Sequence, residues 1–289
     1  MGVDVDVIAA ETIPRGSDVV AVFVGPAAEF GASHLADLPN LTLVAATSTG
    51  YNHIDVTAIA AAGIWATHVA DYCTEEVADH TIAHILGLLR QITQYDRGVH
   101  EGRWREQPST PARIAGTRVG LVGYGRIARA VAERALALRM QVSVYSASVV
   151  SQPGEIQFCE SLDALLRTVD VVSLHSPASS ENTHMLDASA IAQMRPGALV
   201  VNTARPTLID HRALVQALNS GHLGGAALDV LPQEPPEPHD PLLAVPNMVI
   251  TPHAAWLSSE SVQRPFQVIA EQLATVLAGF EPFGVIKAG

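Results

Sequence analysis

The chain has 289 residues, 48% of them hydrophobic and 16% charged, with a formal net charge of −12. Its length suggests two domains, each able to bury its own core, and its composition is that of a folded chain rather than a disordered one. The acidic surplus excludes a duplex nucleic acid partner, which needs a basic face. No apolar run approaches the roughly 20 residues that span a bilayer, so no membrane partner is expected.

The N-terminus, MGVDVDVIAA, carries acids where a secretion signal carries bases, and Asp6 stands where a myristoylation signal needs Ser or Thr. A cytoplasmic protein is expected. The two cysteines, Cys73 and Cys159, are far apart and form no CxxC, which fits a reducing compartment. Lys287 is the only lysine, which leaves no good Schiff-base candidate, and ten of the sixteen arginines fall between Arg90 and Arg139.

Short apolar runs predict strands at Val3–Ile8, Val19–Val24, Leu41–Ala46 and Ile64–Val69. Between the last two lies a short helix, with Asp55 as N-cap and Gly63 just past its end. A single long helix is predicted over Thr74–Gly98. Thr74 caps it, Glu75 and Glu76 favour its positive end, and Val77, His80, Thr81, His84, Leu88 and Gln91 follow helical spacing. Gly98–Gly116, polar and with two prolines, reads as a linker.

The βα rhythm then restarts, with strands at Arg118–Val122, Val142–Tyr145, Val171–Leu174, Ala198–Val201 and Ala226–Leu228, and helices between them. Gly221 suits the position after a helix over Asp210–Ser220. Repeated βαβ units imply a parallel sheet covered on both faces. A last helix, about Ser258–Ala278, is expected to return to the first domain.

VGLVGYGRIA at Val119–Ala128 is a buried strand running into G-x-G-x-x-A and a helix. Gly123 permits the tight turn, Gly125 the approach of a pyrophosphate, and Ala128 close helix–strand packing. The helix start presents free N–H groups to the anion, and Arg126 could touch it. The acid that should follow the next strand and hold a ribose is replaced by Ser146, in Ser146–Ala147–Ser148. No arginine for a 2′-phosphate stands there either. NAD and NADP therefore both stay open, with a lean to NAD.

Three later segments follow apolar strands: VNTARPTLID, ALDVLPQEP and TPHAAW. They carry a planar cation (Arg205), a carboxylate (Glu234) and an imidazole (His253). A guanidinium can grip a carboxylate or carbonyl oxygen in two places. An imidazolium can protonate a developing alkoxide, and a carboxylate beside it keeps it charged and oriented. Hydride transfer to a 2-keto acid needs that set.

Together DYCTEEVADHTIAHIL, VGLVGYGRIA, VVNTAR, GGAALDV with QEP, and TPHAAW resemble the D-isomer-specific 2-hydroxyacid dehydrogenases, and among them the C-terminal-binding-protein branch. The resemblance covers nearly the whole chain. It implies an NAD(P)-dependent oxidoreductase acting between a 2-keto acid and a D-2-hydroxy acid. Arg205 would bind substrate, His253 would give or take the proton, and Glu234 would be its partner. Cofactor contacts would come from Gly123, Tyr124, Gly125, Arg126 and Ile127, from Ser146, Ser176 and Pro177, and from Thr203, Ala204 and Asp229. Thr49 and Gly50, in the Ser48–Gly50 loop, resemble a backbone carboxylate-binding turn, and Trp256 resembles a wall of the substrate pocket.

The implied fold is α/β in two domains with a cleft between them. One is a Rossmann-type doubly wound domain over 93–257. The other is a smaller flavodoxin-like substrate domain over 1–92 and 258–289. A homodimer is expected, from the apolar surface of the long helix and from the resemblance. Pro206 departs from the family by replacing the glycine that usually follows the catalytic arginine. His80 and His84 are spaced to share a metal, but no third ligand is evident, and none is expected. The other readings are a dinucleotide-sensing binding protein and a dehydrogenase of a small inorganic or one-carbon anion.

Overall fold

The computed structural model describes residues 6–104, 110–149 and 154–287. The chain divides into two compact units, Met1–Cys73 with Leu257–Gly289, and Thr74–Trp256.

In the first unit, β1 (Ala21–Val24), β2 (Leu43–Ala46) and β3 (Trp65–His68) form a parallel sheet in the order β1-β2-β3. Two short helices lie in its connections, α1 (Ala32–Leu35) and α2 (Val56–Ala61). Asp55 caps α2, accepting from Ala58 N at 3.0 Å, and Gly63 follows it at φ +74°. The expected strand Val3–Ile8 is not found in its described part. Residues 3–5 lie outside the described residues, and Val7 and Ile8 are 77% and 84% exposed with no strand partner. An alternating pattern is a strand only where a neighbour pairs with it and a core covers one face.

The C-terminal helix belongs to this unit. It is interrupted in sequence from β3 by the whole second unit, yet Val268, Ile269 and Leu273 pack with Leu43, Ala45 and Val69. Its bounds are Ser259–Leu277, with Ser258 as N-cap and Ala278 as C-cap. Gln272, fully buried, ties it down: it accepts from Thr67 Oγ1 at 2.9 Å and donates to the carbonyls of His68 and Phe283 at 3.1 and 3.0 Å.

The second unit opens with α3 (Thr74–Arg90) and α4 (Ile92–His100). The single helix expected over Thr74–Gly98 is thus broken, by Gln91 at φ +54°. A left-handed residue cannot continue the i→i−4 ladder. α3 also moves the domain boundary from the expected 92/93 to 73/74. Its apolar side (Ala78, Ile82, Ile85, Leu88, Leu89) is buried against α5 (Arg126–Ala137) and the sheet of this unit. Part of the linker expected over Gly98–Gly116, residues 105–109, lies outside the described residues.

Among the described residues the sheet has seven parallel strands. They are β4 (Arg118–Val122), β5 (Gln141–Tyr145), β6 (Gln157–Phe158), β7 (Val171–Leu174), β8 (Ala198–Asn202), β9 (Leu223–Leu228) and β10 (Met248–Ile250). Their order is β10-β9-β8-β7-β4-β5-β6. Both faces are covered, by α3 and α5 on one side. On the other lie α6 (Leu162–Leu166), α7 (Ala188–Gln193) and α8 (His211–Asn219). Burial on both faces explains the near-continuous apolar runs of these strands. From β4 the chain steps outward to β5 and β6, then returns to β7 on β4's other side. The C-terminal ends of β4 and β7 therefore flank the reversal point of the doubly wound sheet, where such folds bind their ligands.

Candidate active site

The glycine loop leaves β4 at that reversal point. Gly123 has φ +94°, and a Cβ there would lie 2.9 Å from the carbonyl carbon and oxygen of His175, just past β7. Only glycine fits both the conformation and the space. Gly125 is the opposite case. It has φ −78°, and a Cβ there would meet nothing within 4 Å. That open space lies before the N-terminus of α5, whose N-cap Gly125 offers no side-chain cap to the free N–H groups. Ala128 is fully buried where α5 meets the sheet. A strained glycine against the neighbouring loop, an open glycine at an uncapped helix start and a buried alanine fit the pyrophosphate of a dinucleotide.

Tyr124 turns its ring into the core, edge-on to Phe158 at 5.3 Å and under Arg129 at 5.0 Å, and is 9% exposed. Arg126 is exposed at the helix start and Ile127 half-buried beside it. Ser146 follows β5, and its Oγ accepts from the N–H groups of Ser148 and Val149 at 3.4 and 3.3 Å. Ser176 donates back to the Val122 carbonyl at 3.3 Å, and the Pro177 carbonyl accepts from Asn182 at 2.7 Å. Burial pushes the His175 imidazole between these loops down to about 4, so it is neutral at ordinary pH.

The three catalytic candidates leave three neighbouring parallel strands. Asn202, Leu228 and Ile250 stand in register on β8, β9 and β10. Arg205 comes three residues after the first, Glu234 six after the second, His253 three after the third. Two strand spacings, about 10 Å, separate β8 from β10, so the loops bearing Arg205 and His253 leave the same end of the sheet about that far apart.

His253 Nδ1 lies 2.7 Å from Glu234 Oε2, and the other carboxylate oxygen accepts from Leu231 N at 2.8 Å. The carboxylate thus fixes the ring and its tautomer: Nδ1 carries the proton, and Nε2 faces outward from a side chain that is half exposed. His253 itself is strained, at φ +53°. Asp229, 2% exposed, holds that turn. Its carboxylate accepts from Thr251 Oγ1 at 2.6 Å and from Ala254 N and Ala255 N, both at 2.9 Å, while its carbonyl accepts from His253 N at 2.9 Å.

The Arg205 loop is held in the same manner. The buried Asn202 accepts from Ala204 N at 3.0 Å and donates to the Arg205 carbonyl at 2.9 Å, and Arg205 Nη1 donates to the Ala204 carbonyl at 2.7 Å. Pro206 disturbs nothing there. It is the first residue of a 3₁₀ turn, Pro206–Leu208, where no N–H is needed, and Arg205 is extended as a residue before proline must be.

Thr49 and Gly50 belong to the first unit, after β2. Thr49 Oγ1 donates to the Val69 carbonyl at 3.0 Å, and Ser48 Oγ to the Gly50 carbonyl at 2.7 Å. Trp256 ends the second unit, half-buried. The site also contains groups that the motifs did not single out: Asn202, Thr251 and Thr81. His80 and His84, whose spacing on α3 stood out in the sequence, both direct Nε2 at Thr251 Oγ1, at 3.0 and 3.2 Å. Polar residues one turn apart on a buried helix face were the available signal.

A family model described as D-isomer-specific 2-hydroxyacid dehydrogenase, NAD-binding domain, matches residues 82–255. A glyoxylate reductase of Thermofilum pendens is 35% identical over 258 residues, 86% of this chain and 76% of that protein. A glycerate dehydrogenase of Methylorubrum extorquens is 34% identical over 268 residues, 89% of this chain and 82% of that protein. Among solved structures, the NADPH-dependent glyoxylate/hydroxypyruvate reductase of Sinorhizobium meliloti, in complex with NADP and malonate, superposes with a TM-score of 0.82. It is 29% identical, over 93% of this chain and 84% of that one.

Proposed function

The chain belongs to the D-isomer-specific 2-hydroxyacid dehydrogenases, and from that premise we propose that it reduces a small 2-keto acid of the glyoxylate or hydroxypyruvate kind through Arg205, Glu234 and His253. The observation that carries this assignment is the 2.7 Å contact from His253 Nδ1 to Glu234. It leaves Nε2 as the nitrogen that exchanges a proton with substrate. A reduced nicotinamide held at the glycine loop would supply the hydride that C2 takes up. Arg205 grips the substrate's carboxylate or carbonyl oxygen, placing C2 between the strand ends. His253 Nε2 gives its proton to the carbonyl oxygen as that oxygen gains negative charge, and takes it back in the oxidation direction. Glu234 keeps the ring in one orientation throughout.

The glycine loop, Ser176, Pro177, Thr203 and Ala204 are the parts assigned to the dinucleotide. Asp229 is assigned mainly to holding the His253 turn, since three donors already occupy its carboxylate. On the first unit, the Ser48–Gly50 loop is assigned to a carboxylate. Trp256, directly after TPHAA, supports kinship with the C-terminal-binding-protein branch. A cytoplasmic homodimer completes the proposal. The apolar side of α3 is spent within its own unit, but α4 and its exit expose Ile92, Val99 and Trp104, and sedimentation as a concentration-independent monomer would count against the dimer.

Arg205→Lys tests the assignment. Losing the two-pronged grip while keeping the charge should lower kcat/KM by about 10- to 100-fold, the worth of a charge-assisted hydrogen bond. Cofactor affinity should be unchanged. Wild-type kcat/KM in this variant would remove Arg205 from the role.

A further inference from the structure

We propose that His80, Thr81 and His84 on α3 are positioning residues that fix the loop bearing Arg205 and the loop bearing His253 against one rigid helix. This rests on the dehydrogenase reading given above. The three side chains form a polar strip one helical turn long on a face otherwise made of Ala78, Ile82 and Ile85. Thr81 is fully buried and His84 nearly so.

Their partners occupy equivalent places. Thr203 is the first residue after β8 and stands two before Arg205. Thr251 is the first after β10 and stands two before His253. Thr81 Oγ1 lies 2.9 Å from Thr203 Oγ1, and Thr251 Oγ1 lies 3.0 Å from His80 Nε2 and 3.2 Å from His84 Nε2. One helix turn therefore touches the root of each catalytic loop.

The protons can be placed by counting. Thr251 has one hydroxyl proton and gives it to Asp229 Oδ1 at 2.6 Å. Both histidines must then donate to Thr251, so both carry their proton on Nε2. Thr81 gives its proton to the Val77 carbonyl at 2.7 Å, so Thr203 is the donor to Thr81. Each hydroxyl donates its one proton, and Thr251 also fills both of its acceptor sites, so none of the three can turn without breaking a bond. The Asp229 carboxylate that takes the Thr251 proton also accepts from Ala254 N and Ala255 N, so the turn bearing His253 is pinned both before and after that residue.

Stability alone gives no reason for this strip. Replacing a buried polar network by well-packed apolar side chains is often neutral or stabilising, and burial, with His80 adding to it and Asp229 opposing, pushes His84 down to about 4. What the network provides is direction. Packed apolar groups tolerate sliding, whereas hydrogen bonds fix the loop roots to fractions of an ångström.

The test compares Thr81→Val and His84→Leu, which delete the bonds, with Thr81→Ser and His84→Gln, which keep a hydroxyl or an Nε2–H. Each purified protein is checked for folding by circular dichroism, then assayed for kcat, keto-acid KM and dinucleotide dissociation constant. Misplaced loop roots should cost Thr81→Val and His84→Leu about 10- to 100-fold in kcat, with smaller changes in KM, while the conservative pair stays within about threefold of wild type. Folded deletion variants with wild-type kcat overturn the inference, as do conservative variants that lose as much as the deletions. Thr81→Val is nearly isosteric and decides the matter if His84→Leu fails to fold. A wild-type protein that turns over no keto acid would instead defeat the dehydrogenase reading, and the strip would lose the reaction it positions.

Discussion

Gly123 and Gly125 stand two residues apart in one loop, and replacing each with alanine should fail in different ways. At Gly123 the φ of +94° costs an alanine about 1–2 kcal/mol. Its Cβ would also press on backbone atoms of His175 at 2.9 Å, and overpacking of that kind costs about 1–3 kcal/mol. The sum, roughly 2–5 kcal/mol, corresponds to a fall in Tm of about 5–15 °C for a unit of this size. At Gly125 the backbone is already open to any residue and a Cβ meets nothing. The poorer N-cap costs about 0.5–1 kcal/mol and the stiffer unfolded chain returns a similar amount, so Tm should barely move. The added methyl would stand where the pyrophosphate approaches, and cofactor affinity should fall by about 10- to 100-fold, a loss of roughly 1–3 kcal/mol. Thermal melts followed by circular dichroism, with NADH titrations read by tryptophan quenching, separate the two. A Gly125→Ala protein that binds NADH as wild type does would refute the placement of the dinucleotide at this loop.

Ser146→Asp should raise the preference for NADH over NADPH by about tenfold or more, through repulsion of a 2′-phosphate. An unaltered ratio of kcat/KM values would mean the ribose is read elsewhere. His84 makes stability depend on pH. The unfolded chain binds a proton there near pH 6.5 and the folded one only near 4. Between those values the unfolded state holds more protons, so stability falls as pH falls, by roughly 3 kcal/mol in total, and is unaffected above pH 6.5. Urea titrations from pH 7 to pH 4 should show that slope reduced in His84→Gln; equal slopes would argue that His84 titrates normally in the fold. Asp170→Asn should lower stability by about 1–3 kcal/mol. It weakens the hold on Arg118, whose Nε, Nη2 and backbone N–H reach the carboxylate at 2.9, 2.5 and 3.0 Å, and an unchanged urea midpoint would show those bonds to be without net effect.

The second unit was the more legible in sequence. Its central strands, β7 and β8, are buried on both faces and appear as nearly continuous apolar runs, and glycines or N-cap aspartates mark the connections. Asp210, for example, accepts from Arg212 N and Ala213 N. β6 escaped notice because two residues carry no period. The Val3–Ile8 pattern misled because alternation reports only that a face could be buried. Gln91 gave no warning of the break before α4, since glutamine has no preference of its own for the left-handed conformation it adopts there. Arg205, Glu234 and His253 were legible as candidates because each follows an apolar strand, and the fold brings Glu234 and His253 into contact at 2.7 Å. The strip on α3 was visible only as odd polar residues in a buried helix. Assigning it needed Thr203 and Thr251, which are distant in sequence and meet the helix only in the fold.

The most direct measurement is turnover by the purified protein with NADH and NADPH against a panel of small 2-keto acids, beside Glu234→Gln and His253→Ala. Wild type should reduce at least one of them. Glu234→Gln loses the charged partner at 2.7 Å and should drop about 10- to 100-fold in kcat. His253→Ala should drop about 100- to 10,000-fold, the worth of a positioned general acid. All three proteins should bind the reduced dinucleotide with the same affinity, because the glycine loop is untouched. Wild-type turnover matched by His253→Ala, or no turnover by wild type on any keto acid with either cofactor, would contradict the mechanism proposed for this site.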